Sequence, residues 1–188
     1  MGMLRLFVAV DAPATVRRLL SEARDRLAAS GADVRWEPEE KFHCTLAFLG
    51  DTPDELLEPI AAAVGNALRG TGPFPLTYRG IGFFPDRERP RTVWGGVGDT
   101  DGVLAHVREE IVRELEAIGI PRDGKPFHAH VTLGRIRSFR HVRRLTTSAE
   151  SFTLEQSPVT VREIVIVRSV LKPGGSAYTV LRSIPLTA

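Results

Sequence analysis

The chain has 188 residues, 43% of them apolar, and a formal net charge of +2. That is enough apolar material for a real core, and it excludes a disordered, highly charged polymer. Its single cysteine, Cys44, excludes an intramolecular disulfide framework and a multi-cysteine zinc site. The longest apolar runs, such as Leu4 to Val10, are interrupted by charge and fall far short of the roughly 20 residues a membrane-spanning helix needs. With no signal-peptide pattern at the start, the cytoplasm is the expected compartment. Overall basicity is weak for a nucleic-acid binder. Only the local run Arg135, Arg137, Arg140, Arg143 and Arg144 bears on that question, where a solvated basic face competes with a phosphate-contact surface.

Leu4 to Val10 reads as a first strand. Asp11-Ala12-Pro13 supplies an N-cap candidate and a first-turn proline for a helix ending near Ala29, with Val16, Leu19, Leu20, Ala23 and Leu27 as its apolar stripe. Val34 to Trp36 and Lys41 to Leu49 read as strands. A second helix is expected from Gly50-Asp51-Thr52-Pro53 by the same device, carrying Leu56, Leu57, Ile60, Ala61, Val64 and Leu68. Phe74 to Phe84 and Thr92 to Val97 are strand-like and joined by a charged turn. A third helix spans about Asp101 to Ile118, followed by a strand from Phe127 to Leu133 and a short helix after Ser138. Strands at about Val159 to Leu171 and Tyr178 to Ile184 flank a Pro173-Gly174-Gly175 turn. This order predicts an α+β protein of two similar lobes facing each other, with no flexible linker between them and hence a single unit over 1–188.

Each half contains one tetrapeptide of the form His-x-Thr-Leu: His43-Cys44-Thr45-Leu46 and His130-Val131-Thr132-Leu133. A strand has a side-chain period of two, so His43 and Thr45 share one face, as do His130 and Thr132, while Cys44 turns to the opposite, apolar side. Two imidazoles can supply an acid and a base near neutral pH. Two hydroxyls can hold the oxygens of a phosphate between them. The competing reading is a metal site built from His43, His128 and His130. Against it, no carboxylate or cysteine shares the face, and the threonines would have no purpose. His106 and His141 have no partner motif and read as surface or boundary residues.

Several segments extend the likeness beyond the two tetrapeptides: Arg5-Leu6-Phe7-Val8-Ala9-Val10, Phe42 to Gly50, Pro90-Arg91-Thr92-Val93-Trp94, Phe127 to Arg135, and Pro173 to Tyr178. With these the chain resembles the two-histidine phosphoesterase superfamily, and within it the RNA 2′,3′-cyclic phosphodiesterase family, also called 2′-5′ RNA ligases. The resemblance implies a bilobal α+β fold. Two antiparallel sheets would line a central cleft, with helices outside and the lobes related by a pseudo-two-fold axis. It implies His43 as proton donor, His130 as proton acceptor, and Thr45, Thr132 and Arg135 as substrate-binding residues. No metal and no cofactor are expected. The implied partner is RNA bearing a 2′,3′-cyclic phosphate end, tRNA fragments included, and the implied state is a monomer. A 2H phosphodiesterase of another 2′-linked or cyclic nucleotide ester, or a non-catalytic RNA-end-binding module, are the alternatives. Strict alternation points Arg135 away from the His130 face, because their offset is odd. A bulge at Gly134, where the family often has Ala, would be needed to turn it back.

Overall fold

The computed structural model describes residues 2–124, 126–150, 158–173 and 175–187. Among the described residues nine strands and four α-helices follow in the order β1 (Met3–Asp11), α1 (Ala14–Ala28), β2 (Val34–Trp36), β3 (His43–Pro53), α2 (Leu57–Ala67), β4 (Phe74–Phe84), β5 (Thr92–Gly98), α3 (Val103–Ala117), β6 (His130–Ile136), α4 (Val142–Glu150), β7 (Val159–Val161), β8 (Glu163–Lys172) and β9 (Gly175–Pro185). No helix among the described residues is long and apolar enough to cross a membrane. The α+β class agrees with the sequence pattern, but the two expected sheets are one. The strands follow the path β7-β4-β5-β6-β3-β1-β8-β9, with β2 added on β6. The sheet narrows where β6 meets β3, at the single pair Cys44 and Val131. This divides it into two arms, β6-β5-β4-β7 and β3-β1-β8-β9.

β1 lies between β3 and β8, and residues Leu6 to Val10 are buried on both faces, as a continuous apolar run in a central strand requires. One face of the sheet carries the helices. Val16, Leu20 and Ala23 of α1, Ile60 and Val64 of α2, and Leu104, Val107, Ile111 and Leu115 of α3 meet Leu6, Val8, Cys44, Leu46, Val131 and Leu133 in the main core. Each fully buried Leu or Ile contributes about 1.5–3 kcal/mol. A second cluster, with Leu27, Phe83, Val93 and Leu145, seats α4 against the β4–β5 arm. On the face away from the helices, Phe7, Ala9, Val165 and Val167 form a small cluster of their own.

β6 begins at His130 rather than Phe127, β3 at His43 rather than Lys41, and β9 at Gly175 rather than Tyr178; three further departures from the sequence pattern arise because a tertiary partner takes over. β3 runs on to Pro53 because its end pairs with Met3 to Leu6 of β1, so Asp51-Thr52-Pro53 is strand. A single 3₁₀ turn, Asp54–Leu56, then precedes α2. Asp11 caps nothing; Pro13 is the N-cap of α1, and Asp11 instead takes both oxygens to Arg17 at 2.8 and 2.7 Å. The stretch from Val159 is broken at Arg162, where the chain leaves β4 as β7 and joins β1 as β8. The β8–β9 turn includes Gly174, which lies outside the described residues.

One close approach ties β4 to β5. Gly82 pairs with Trp94 across β4 and β5, and a Cβ at Gly82 would stand 2.0 Å from the indole. Gly82→Ala must therefore displace Trp94, an overpacking expected to cost about 1–3 kcal/mol. Chemical denaturation should show that loss of stability, and near-ultraviolet circular dichroism should report a changed Trp94 environment.

Candidate active site

The antiparallel pairing of Cys44 with Val131 fixes what stands beside it. One residue on either side, the register puts His43 across from Thr132 and Thr45 across from His130, all on the face opposite Cys44 and Val131. The structure thus brings together the four residues that the two tetrapeptides mark. Cys44 and Val131 themselves are sealed in the core, and burial raises the Cys44 thiol to about 12, far from a nucleophilic thiolate.

Both imidazoles are oriented by the same local device. His43 Nδ1–H donates to the Lys41 carbonyl at 2.6 Å, and His130 Nδ1–H donates to the His128 carbonyl at 2.6 Å. A carbonyl can only accept, so each ring carries its proton on Nδ1 and presents Nε2 as the working nitrogen. In neutral His43 that Nε2 accepts from the Thr45 hydroxyl at 3.0 Å. Aromatic rings hold both imidazoles in place. Phe7 stacks on His43 at 4.7 Å and Tyr178 meets it edge-on at 5.4 Å; Phe84 meets His130 edge-on at 4.9 Å, with Trp94 at 6.2 Å.

The two rings are alike in orientation and unlike in electrostatic surroundings. Burial lowers the pKa of His43 below the ordinary 6.5. Its hydrogen bond to Lys41 and the charges of Asp11 and Glu37 oppose that, while the charge of His130 adds to it. Burial also lowers His130, opposed by the hydrogen bond to His128, but here the charges of His128 and Arg135 both push further down. The neighbouring charges thus act in both directions on His43, whereas those on His130 all oppose its proton.

Arg135 lines the cleft with His43, Thr45 and Thr132, and the mechanism is a bulge. Thr132 pairs with Trp94 and Gly134 with Val93, so Leu133 is the extra residue on β6. Leu133 and Gly134 are buried in succession, and Arg135 emerges exposed on the cleft side. Gly is required at 134 because β2 packs there: a Cβ would lie 2.7 Å from Val34 and 2.8 Å from Trp36. Arg137, Arg140, Arg143 and Arg144 are exposed but do not line this cleft.

The cleft measures about 210 Å³, and sequence reading did not assign several of its walls: Arg5, Phe7, Glu37, Phe48 and Tyr178. Arg5 lies 4.7 Å from the half-exposed ring of Phe48. The alternation Arg5, Phe7, Ala9 along β1 was the available signal, since it places a cation and an aromatic ring on one side of a strand. His128 stands 4.6 Å from the Trp94 ring and 6.2 Å from His130. Among the described residues no three His, Cys, Asp or Glu side chains are grouped to hold a metal ion. His43, both hydroxyls and the Arg135 guanidinium around this cleft, with His130 across from Thr45 at its border, suit proton transfer at a phosphate ester.

Comparison with known proteins agrees with that chemistry. A family model described as LigT-like phosphoesterase matches residues 10–94 and 97–178, so each matched segment contains one His-x-Thr-Leu tetrapeptide. A protein of Aeropyrum pernix called RNA 2′,3′-cyclic phosphodiesterase is 36% identical over 165 residues, covering 86% of this chain and 92% of that one. The crystal structure of TT0787 of Thermus thermophilus superposes with a TM-score of 0.80 at 31% identity, covering 97% and 98% of the two chains. That of E. coli LigT complexed with 3′-AMP superposes with 0.77 at 25% identity, over the whole of both. The chain belongs to the LigT-like phosphoesterase family.

Proposed function

We propose that this enzyme opens 2′,3′-cyclic phosphates at RNA ends, with His130 as general base and His43 as general acid. The observation that carries the division of labour is the contrast in surroundings. Asp11 and Glu37 favour a protonated His43, whereas His128 and Arg135 favour a neutral His130. The relative named RNA 2′,3′-cyclic phosphodiesterase supports the substrate class, and the complex of E. coli LigT with 3′-AMP supports a nucleotide in the cleft.

In the proposed reaction His130 Nε2 removes a proton from water as its oxygen bonds to phosphorus. The P–O3′ bond breaks in line, and His43 Nε2–H protonates the departing 3′ oxygen, leaving a 2′-phosphate. Thr45, Thr132 and Arg135 stabilise the charge gathering on the non-bridging oxygens. The cyclic ester stores the energy of the bond, so an RNA 5′-hydroxyl in place of water joins two ends through a 2′-5′ linkage without ATP. No step draws on a metal or a cofactor.

His43→Ala and His130→Ala should each lower kcat about 10²- to 10⁴-fold on an oligonucleotide ending in a 2′,3′-cyclic phosphate, with the circular dichroism spectrum retained. Full turnover in either variant would refute the assignment. Against pH, kcat/KM should be bell-shaped, falling on the acid side as His130 gains its proton and on the alkaline side as His43 loses its own. Because both are lowered, the maximum should lie below the ordinary imidazole value of about 6.5; a profile flat from about pH 5 to 8 would contradict the pair. Arg135→Ala should lower kcat/KM by about 10- to 100-fold, the loss of one charge-assisted contact. Analysis of the hydrolysed end should return a 2′-phosphate, and a 3′-phosphate would reverse the leaving group.

A further inference from the structure

A second cavity meets the first at the catalytic residues. Beyond the Cys44–Val131 pair, β3 and the segment leading into β6 splay apart, and the space between them is lined by Thr45, Phe48, Arg108, Val112, Phe127 and His130, among others. Thr45 and Phe48 line both cavities. His43 lines the first, and His130 lines the second.

Displacement at phosphorus sets the attacking and leaving oxygens on opposite sides. With His43 serving the leaving 3′ oxygen, the ribose bearing the cyclic phosphate occupies the first cleft. The attacking oxygen enters from the His130 side. For hydrolysis that oxygen is water, which needs about 10–15 Å³ of such space. The second cavity holds 190 Å³, an order of magnitude more.

Its walls suit a planar heterocycle. Val112, Ile120 and Phe127 are apolar, and Phe48 adds a second aromatic ring to the lining. Into this surface α3 sends Arg108, whose side chain is 12% exposed. Its guanidinium lies 5.4 Å from the Phe127 ring and gives one N–H to Glu109 at 3.0 Å. Its Nε is sealed from solvent without a hydrogen-bond partner, which marks Arg108 as a side chain whose polar groups the fold itself does not fully satisfy. Arg122, also on this wall, is already committed to Glu109 and Glu116.

We infer that this second cavity is an acceptor subsite, which takes the 5′-terminal nucleoside of an RNA strand and brings its 5′-hydroxyl to His130. The inference rests on the acid and base roles proposed above. In the step it serves, the 5′ oxygen bonds to phosphorus and gives its proton to His130, the P–O3′ bond breaks, and His43 returns a proton to the 3′ oxygen. The product is a 2′-5′ phosphodiester with a free 3′-hydroxyl, and exchange with water resets both rings.

The test supplies one RNA ending in a 2′,3′-cyclic phosphate and a second RNA with a free 5′-hydroxyl, and measures the ratio of joined to hydrolysed product. Ala47→Phe, which places a ring in the cavity, should lower that ratio by about 10-fold or more. Arg108→Gln should lower it through a higher KM for the acceptor strand. A ratio unchanged in both variants would overturn the subsite. On the unaltered protein, a 4-thiouridine at the acceptor's 5′ terminus should photocrosslink to the peptide containing Phe127 or Arg108. Crosslinking to the β8–β9 hairpin beside Tyr178 would instead put the acceptor in the first cleft and sink the inference. Absence of hydrolysis in the unaltered protein would overturn the functional reading, whereas hydrolysis with no joining at any acceptor concentration would overturn the subsite alone.

Discussion

The meeting of Cys44 with Val131 is the constraint on which the site depends. A backbone pair is a rigid ruler, and this one joins two strands each carrying its polar residues on one face. Pairing them antiparallel at the middle residue of each motif puts each histidine across from the other motif's threonine. No loop has to fold into place to assemble the four groups. The same pair seals a small thiol and a valine into the core on the other side, so main-core packing and catalytic geometry are enforced by one contact. A slip of either strand by one residue would turn its imidazole into the core.

In the proposed mechanism, local symmetry and electrostatic asymmetry divide the work. The hydrogen bond from Nδ1 to the carbonyl two residues back is the same in both motifs, so neither strand by itself distinguishes an acid from a base. The distinction comes from elsewhere: Asp11 at the end of β1 and Glu37 after β2 on one side, His128 and Arg135 on the other. Two copies of one motif can thus take opposite parts in the proposed mechanism because their neighbours differ: Asp11 comes from another strand, while Glu37, His128 and Arg135 lie close in sequence to the ring they act on.

This also marks how far the sequence can be read. The face shared by His43 and Thr45, and by His130 and Thr132, follows from a period of two and needs nothing else. Three of the four helices follow from apolar stripes that the core uses nearly residue for residue. Arg135 does not follow, because its direction depends on Leu133 being unpaired, and that depends on β5 and β2 packing against β6. The continuity of the sheet is equally invisible along the chain, resting as it does on one inter-arm pair. Asp11 shows the converse case, in which a residue with every local qualification as a helix cap is claimed by Arg17 instead. Local chemistry was legible where it acts within a few residues, and illegible where a distant strand decided it.

The crossing of the chain at Arg162 has a consequence for how the molecule can be divided. β3 and β1 precede α3 in sequence, yet they share an arm with β8 and β9, which follow it; β4 and β5 share theirs with β6 and β7. Each arm is therefore woven from both halves of the polypeptide. A cut between β5 and α3 releases two fragments that each hold one His-x-Thr-Leu tetrapeptide but only half of either arm. The first fragment leaves β1 and β5, and the second β6 and β8, with bare edges that the other fragment normally covers. Such pieces regain their hydrogen bonds only together, by complementation. The two tetrapeptides are repeated, but neither half of the chain is a module that could be lost, exchanged or shuffled without its counterpart.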